Sequence, residues 1–225
     1  MSHGGERWTL GKMQNPVRGL MHGGAAVLSV VGGVLLWRQG SADFSRQLAL
    51  LVFATSLVSL YAVSSLYHSI PWSEIWKSRL QRLDHAMIYV LVAGTYTPLC
   101  FIVLDGWLSG LALATTWGIA AVGIGQKAFF PRLGHWFSVP LQILQGWLAA
   151  FLIVPLSQKL PWPALLLVIL GGVLYTLGLV FYLTRRPRLW PRVFSYHEMF
   201  HVCVVGGSVA HYAMTLSYLT RFTGA

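Results

Sequence analysis

Seven apolar runs, at residues 19–37, 48–67, 86–104, 107–125, 136–156, 162–183 and 194–219, restrict this chain more than any other feature. Each is 19 to 26 residues long, and about 20 residues of helix cross a hydrocarbon core of roughly 30 Å. They predict an all-α fold, a seven-transmembrane helix bundle forming one membrane domain over residues 1–225. The composition excludes a water-soluble globule: 56% of residues are hydrophobic, only 10% are charged and the mean hydropathy is +0.62. The first run follows a polar, basic segment and has no small-residue cleavage site, so it reads as a retained first helix and not a signal peptide. Only Asp105 and Gly106 separate the third and fourth runs, which predicts a tight turn there.

The basic residues predict how the bundle is oriented. Arg7, Lys12 and Arg18, then Lys77, Arg79 and Arg82, then Lys127 and Arg132, then Arg185, Arg186, Arg188 and Arg192 all fall on one side of the alternating spans. They are twelve of the sixteen Lys and Arg residues; Arg38, Arg46, Lys159 and Arg221 fall on the other side. By the positive-inside rule the N-terminus is expected in the cytoplasm and the C-terminus outside, in a bacterial-type inner membrane. Anionic inner-leaflet lipids are the expected neighbours of these loops. The net charge of +10 does not point to nucleic acid, because no basic stripe with interleaved aromatics occurs. Cys100 and Cys203 lie within apolar runs and form no disulfide framework.

Within the last run, HEMFH at 197–201 sets two imidazoles four residues apart, one above the other on one helical face. Ionisable groups at membrane depth are costly and need a partner. A shared metal ion meets that need, and neutral imidazole suits zinc. With the spans oriented as above, His22, His68 and Asp84 fall in the same layer as His197 and His201. His211 lies ten residues beyond His201, or about 15 Å along the axis, and reads as a hydrogen-bonded interior histidine. Gly23-Gly24, Gly171-Gly172 and Gly206-Gly207 read as sites of close helix contact.

The segments SSLYHSIPW (64–72), QRLDHAMIYVLVAGTYTPLC (81–100) and HEMFHVCVVGGSVAHY (197–212) resemble the hemolysin III branch of the progestin and adipoQ receptor family. The resemblance covers nearly all of the spans. It rests on S-x3-H, an Asp opening the next span and H-x3-H in the last span, in that order and at matching depths. It implies a zinc ion held by His68, His197 and His201, with Ser64 and Asp84 around the metal's open position. One departure stands out. The family's first motif carries a Glu and an Asn seven and four residues before the histidine that is His22 here, where this chain has Asn15 and Arg18.

Three imidazoles leave one tetrahedral position open, as in catalytic and not in closed structural zinc sites. Asp84 is then the expected general base, with Ser64, one turn before His68, hydrogen-bonding either Asp84 or the water. The family is similar to membrane hydrolases that include alkaline ceramidases, which suggests cleavage of a lipid amide or ester. The alternative is a lipid-sensing, receptor-like protein whose zinc is purely structural. HEMFH also satisfies H-E-x-x-H, with Glu198 as base and Leu104-Asp105-Gly106 as a partner motif. Against this protease reading, Asp105 is expected at the opposite membrane face. A pore would need polar rings through the full depth, which the outer halves of the spans lack.

Overall fold

Helices built from these apolar runs extend past them wherever the flanking residues can cap or solvate the ends. The computed structural model describes residues 13–40, 43–190 and 193–223. Among them stand α1 Pro16–Gln39, α2 Phe44–Ser69, α3 Glu74–Val103, α4 Gly106–Phe129, α5 Gly134–Ser157, α6 Trp162–Thr184 and α7 Tyr196–Met214, the last continued by a π-helical turn at Thr215–Leu219. All seven are long and apolar enough to cross a membrane. Arg7, Lys12 and Arg192, used above to orient the chain, lie outside the described residues.

Local chemistry explains where the helices begin. Pro16 opens α1, where a missing N–H costs nothing. The Asp43 carboxylate accepts from Ser45 N at the start of α2. The sharp link between α3 and α4 is closed by Gly106, whose φ of +59° is a left-handed conformation that glycine adopts freely. The third helix corrects the sequence expectation: it starts at Glu74, so Asp84 lies well inside it and not at its mouth. Hydrophobicity ends at the membrane boundary, but the helix need not. Glu74 favours the first turn, and its ion pair with Lys77 lies one turn on.

Packing is uneven. The most extensive contacts join α1 to α2, α2 to α3 and α6 to α7, whereas α5 touches its neighbours sparingly. Apolar side chains such as Leu28 on α1 and Phe151 on α5 stay exposed on the bundle's outside, where lipid and not water is the solvent. The largest dry core lies toward one end, with Leu99, Val103, Leu156, Leu165, Met214 and Leu219 packed together. That end is tied shut by polar contacts. Arg46 donates to the carbonyls of Thr220 and Phe222, and Lys159 pairs with Asp105 across the two turns.

In each glycine pair singled out from the sequence, one member makes a close approach. Gly23 faces Ser65, Gly171 faces the His211 ring and Gly207 faces Tyr175, while Gly24 and Gly172 have nothing against them. A Cβ at Gly207 would lie 2.6 Å from the Tyr175 ring and 3.1 Å from the Gly171 carbonyl. Gly207→Leu is therefore expected to destabilise the α6–α7 contact by about 1–3 kcal/mol. The thermal unfolding midpoint in detergent checks this; an unchanged midpoint would contradict the close packing.

Candidate metal centre

The bundle end remote from that dry core gathers His22, His68, His197 and His201. α2 delivers Ser64 and His68 in its final turns, and α7 delivers His197 and His201 in its first turns. Ring centroids are 4.9 Å apart for His197–His201, 5.1 Å for His68–His201 and 5.5 Å for His68–His197. One ligand atom from each of the three residues lies within 4.8 Å of the others. His68 and His201 are 3% and 2% exposed, yet neither nitrogen of His68, nor Nδ1 of His201, has a hydrogen-bond partner. Unpartnered buried nitrogens are costly unless something outside the chain satisfies them. Nitrogen donors converging on one point fit a metal ion, and this group can hold one.

Asp84 approaches from α3. The Ser64 hydroxyl, one helical turn before His68, donates to its carboxylate. That carboxylate is within electrostatic reach of the Tyr67 and Tyr182 hydroxyls. Each tyrosine packs on a ligand histidine, Tyr67 on His68 at 4.6 Å and Tyr182 on His197 at 5.5 Å between centroids. Asp84 thus sits beside the histidine group without belonging to it.

Glu198 is engaged elsewhere, although it lies between the two α7 histidines in sequence. Its Oε2 accepts from Ser195 N at 2.8 Å and its Oε1 from Arg18 Nε at 2.6 Å. Ser195 and Glu198 together form a capping box that satisfies amide groups opening α7. Asp105, the other carboxylate of the protease reading, is at the far end of the bundle against Lys159. The two acids of that motif are not brought together.

The altered first motif retains a place at the site. Gln14 N and Asn15 N donate to the carbonyls of Ser69 and His68 at 3.2 and 2.9 Å, so the start of α1 completes the last carbonyls of α2. Arg18 ties the same helix to the start of α7 through Glu198. α1 therefore braces both helices that supply the histidines. Sequence reasoning missed this brace, although Arg18 and His22 share one face of α1 at i, i+4 spacing.

His22 completes the cluster in a way its sequence position did not specify. It is 3% exposed, stacks on His201 with centroids 4.1 Å apart, and meets Tyr61 edge-on at 5.0 Å. It lies outside the group of converging ligand atoms. From Tyr61 a polar chain continues toward mid-bundle: its hydroxyl donates to Ser208 Oγ at 2.7 Å, and Ser208 lies 3.0 Å from the Tyr175 hydroxyl. His211 packs against Tyr175 at 5.5 Å. Its Nδ1 has no hydrogen-bond partner. Gly171 opposite it gives the ring room without offering that nitrogen an acceptor.

Comparison with known proteins agrees with this architecture. The family model described as "Haemolysin-III related" matches residues 11–212. Hemolysin-3 of Bacillus cereus is 35% identical over 202 residues, covering 89% of both chains. The Hemolysin-3 homolog of Bacillus subtilis (strain 168) is 35% identical over 170 residues, 76% of both chains. Monocyte to macrophage differentiation factor of Homo sapiens is 24% identical over 207 residues, 89% of this chain and 82% of the relative. With seven membrane-length helices and these bacterial relatives, the chain is an integral protein of the bacterial inner membrane. The chain belongs to the hemolysin III branch of the progestin and adipoQ receptor family.

Proposed function

We propose that this protein is a zinc-dependent hydrolase of a lipid amide or ester, with its site toward the cytoplasmic face. The observation that carries the reading is the juxtaposition of converging, unpartnered imidazole nitrogens with a serine-held carboxylate that is not itself a ligand. His68, His197 and His201 hold the ion. When bound, zinc supplies Lewis acidity, which polarises a carbonyl and acidifies water. The Asp84 carboxylate accepts the proton of the attacking water, while the Ser64 hydroxyl fixes the orientation of that carboxylate. Burial of His68 and His201 keeps bulk water from competing. The site lies at the end of α2 and the start of α7, and helix ends of membrane-spanning length fall where a lipid's amide or ester linkage would meet its head group. Release of fatty acid from a panel of ceramide-like amides and lipid esters tests the reading; no turnover on any of them by zinc-loaded protein would overturn it.

A structural metal is favoured by one observation. Among the described residues the α2 and α7 backbones approach each other at few points, and an ion shared by their histidines would add a fastening to the Tyr61–Ser208 hydrogen bond that already joins them. Chelation is accordingly expected to lower the unfolding midpoint, a ligand at 100 times its Kd contributing about 2.7 kcal/mol. Stabilisation by zinc without turnover on the lipid panel would favour the structural role alone. The orientation has its own test: a reporter fused at the C-terminus is expected to be active only outside the cytoplasm, because twelve of sixteen basic residues lie on the N-terminal side. Cytoplasmic activity of that fusion would overturn the orientation.

A further inference from the structure

The link from α6 to α7 carries basic residues that the metal centre does not use. Arg186, Pro187 and Arg188 of that link, with Val180, Phe181 and Thr184 at the end of α6, line a surface groove of about 710 Å³. Its wall is mostly apolar, and the Thr184 hydroxyl donates to the Val180 carbonyl at 2.7 Å, which leaves no free donor on the α6 side. Beyond the groove Leu189 and Trp190 stay exposed. Trp190 is held in place, since its N donates to Phe194 O and Phe194 N donates to Trp190 O, each at 2.8 Å. The link is also fastened to α7, where the Ser195 hydroxyl donates to the Pro187 carbonyl at 3.2 Å.

Charge at the groove is one-sided. No residue lining it is acidic, and the side chains of Arg186 and Arg188 form no ion pair or hydrogen bond with a described residue. Every described acid is engaged elsewhere: Asp43 caps α2, Glu74 faces Lys77, Asp105 faces Lys159, Glu198 holds Arg18 and Asp84 accepts from Ser64. The carbonyl end of α6 supplies a partial negative charge of only about one half, which two guanidiniums outweigh. An apolar wall that ends in unpaired cations fits a ligand with a hydrocarbon chain and an anionic head.

We propose that this groove holds one anionic phospholipid, its phosphodiester against Arg186 and Arg188 and an acyl chain along Val180 and Phe181. The planar guanidinium matches phosphate oxygens with paired N–H donors. The groove is larger than a bare phosphate fills and lies in the roughly 300–1,000 Å³ range of small-molecule sites. Its apolar α6 wall would give free phosphate nothing to bind, and a zwitterionic lipid would bring a cation toward the two arginines. Leu189 and Trp190 extend the surface in the way interfacial Trp side chains do, between hydrocarbon and head groups. The groove adjoins the start of α7, the end of the bundle proposed above to face the cytoplasm, where anionic lipids attract basic segments. This inference stands apart from the hydrolysis reading, since it concerns a lipid held at the α6–α7 link and not a reaction at the metal.

The test uses purified full-length protein in neutral detergent, titrated with a dialkyl-ether phosphatidylglycerol and separately with the matching phosphatidylcholine, with bound lipid counted by native mass spectrometry. One phosphatidylglycerol per chain is expected to bind the parent protein about tenfold more tightly than phosphatidylcholine. The double variant Arg186→Gln/Arg188→Gln is expected to bind phosphatidylglycerol roughly 10–30-fold more weakly than the parent. Thr184→Trp, which fills the groove and leaves both arginines, is expected to weaken binding as well. Thr184 is exposed, so this variant keeps the test usable if the double variant fails to fold. Arg79→Gln/Arg82→Gln removes the same charge from the first turns of α3 and is expected to leave binding unchanged. Full binding by Arg186→Gln/Arg188→Gln or by Thr184→Trp, an equal loss in Arg79→Gln/Arg82→Gln, or no preference of the parent for phosphatidylglycerol would overturn the site. Competition by glycerol phosphate at comparable concentration would overturn it in favour of a free phosphate ester. The ether lipid has no ester to cleave, so failure of the hydrolase reading leaves these results unaffected.

Discussion

Purified His68→Ala protein is expected to contain almost no zinc, whereas the parent carries about one ion per chain. The group has only three imidazoles, and His68 is its sole member on α2. Losing a mere outer-shell partner typically costs 10–100-fold in metal affinity, so losing one of three ligands should cost about 100-fold or more. His197→Ala and His201→Ala are expected to behave alike. His211→Ala should keep the metal, because His211 packs against Tyr175 and Gly171 in another part of the bundle. Metal analysis after dialysis decides the matter. Full occupancy in His68→Ala would remove α2 from the site, and loss in His211→Ala alone would move the site toward mid-membrane.

Asp84→Asn is expected to lower turnover by about 10²–10⁴-fold while zinc is retained. The amide keeps the shape of the side chain and can still accept from Ser64, but it cannot take up a proton at the carboxylate. Asp84 is not among the converging ligands, so the ion has no reason to leave. Glu198→Gln should retain most activity per folded molecule. Glutamine at the third helical position still serves the capping box, and the lost charge is one that faces Arg18. Its cost belongs to stability, about 1–3 kcal/mol for a largely buried pair that keeps its shape. The reverse pattern on the lipid panel, with Glu198→Gln inactive and Asp84→Asn active, would favour the H-E-x-x-H protease reading.

These two outcomes depend on features of unequal visibility in the sequence. The seven helices could be read there because lipid demands long apolar runs, and the i, i+4 spacing of His197 and His201 stacks them on any helix. The start of α3 could not be read from hydropathy: the segment from Glu74 to Leu83 is charged and partly exposed, yet helical. The pairing of Arg18 with Glu198 was hidden for a different reason. It joins residues 180 positions apart, and only the packing of α1 across α2 and α7 brings them together. Taken singly, Arg18 was a departure from a motif and Glu198 a spare carboxylate; together they neutralise each other. His22 lay at the right depth by sequence, but which ring it would stack on was fixed by the bundle.

The central claim is a metal held by three imidazoles with one position left for water or substrate, and X-ray absorption at the zinc edge measures that most directly. The purified protein is expected to show three imidazole nitrogens and one further light scatterer, all at about 2.0–2.1 Å. The same spectrum recorded on His22→Ala should be unchanged, because His22 stacks on His201 without joining the ligand group. A fourth imidazole that disappears in His22→Ala would mean a closed, structural site, and a protein that binds no zinc at all would contradict the account outright.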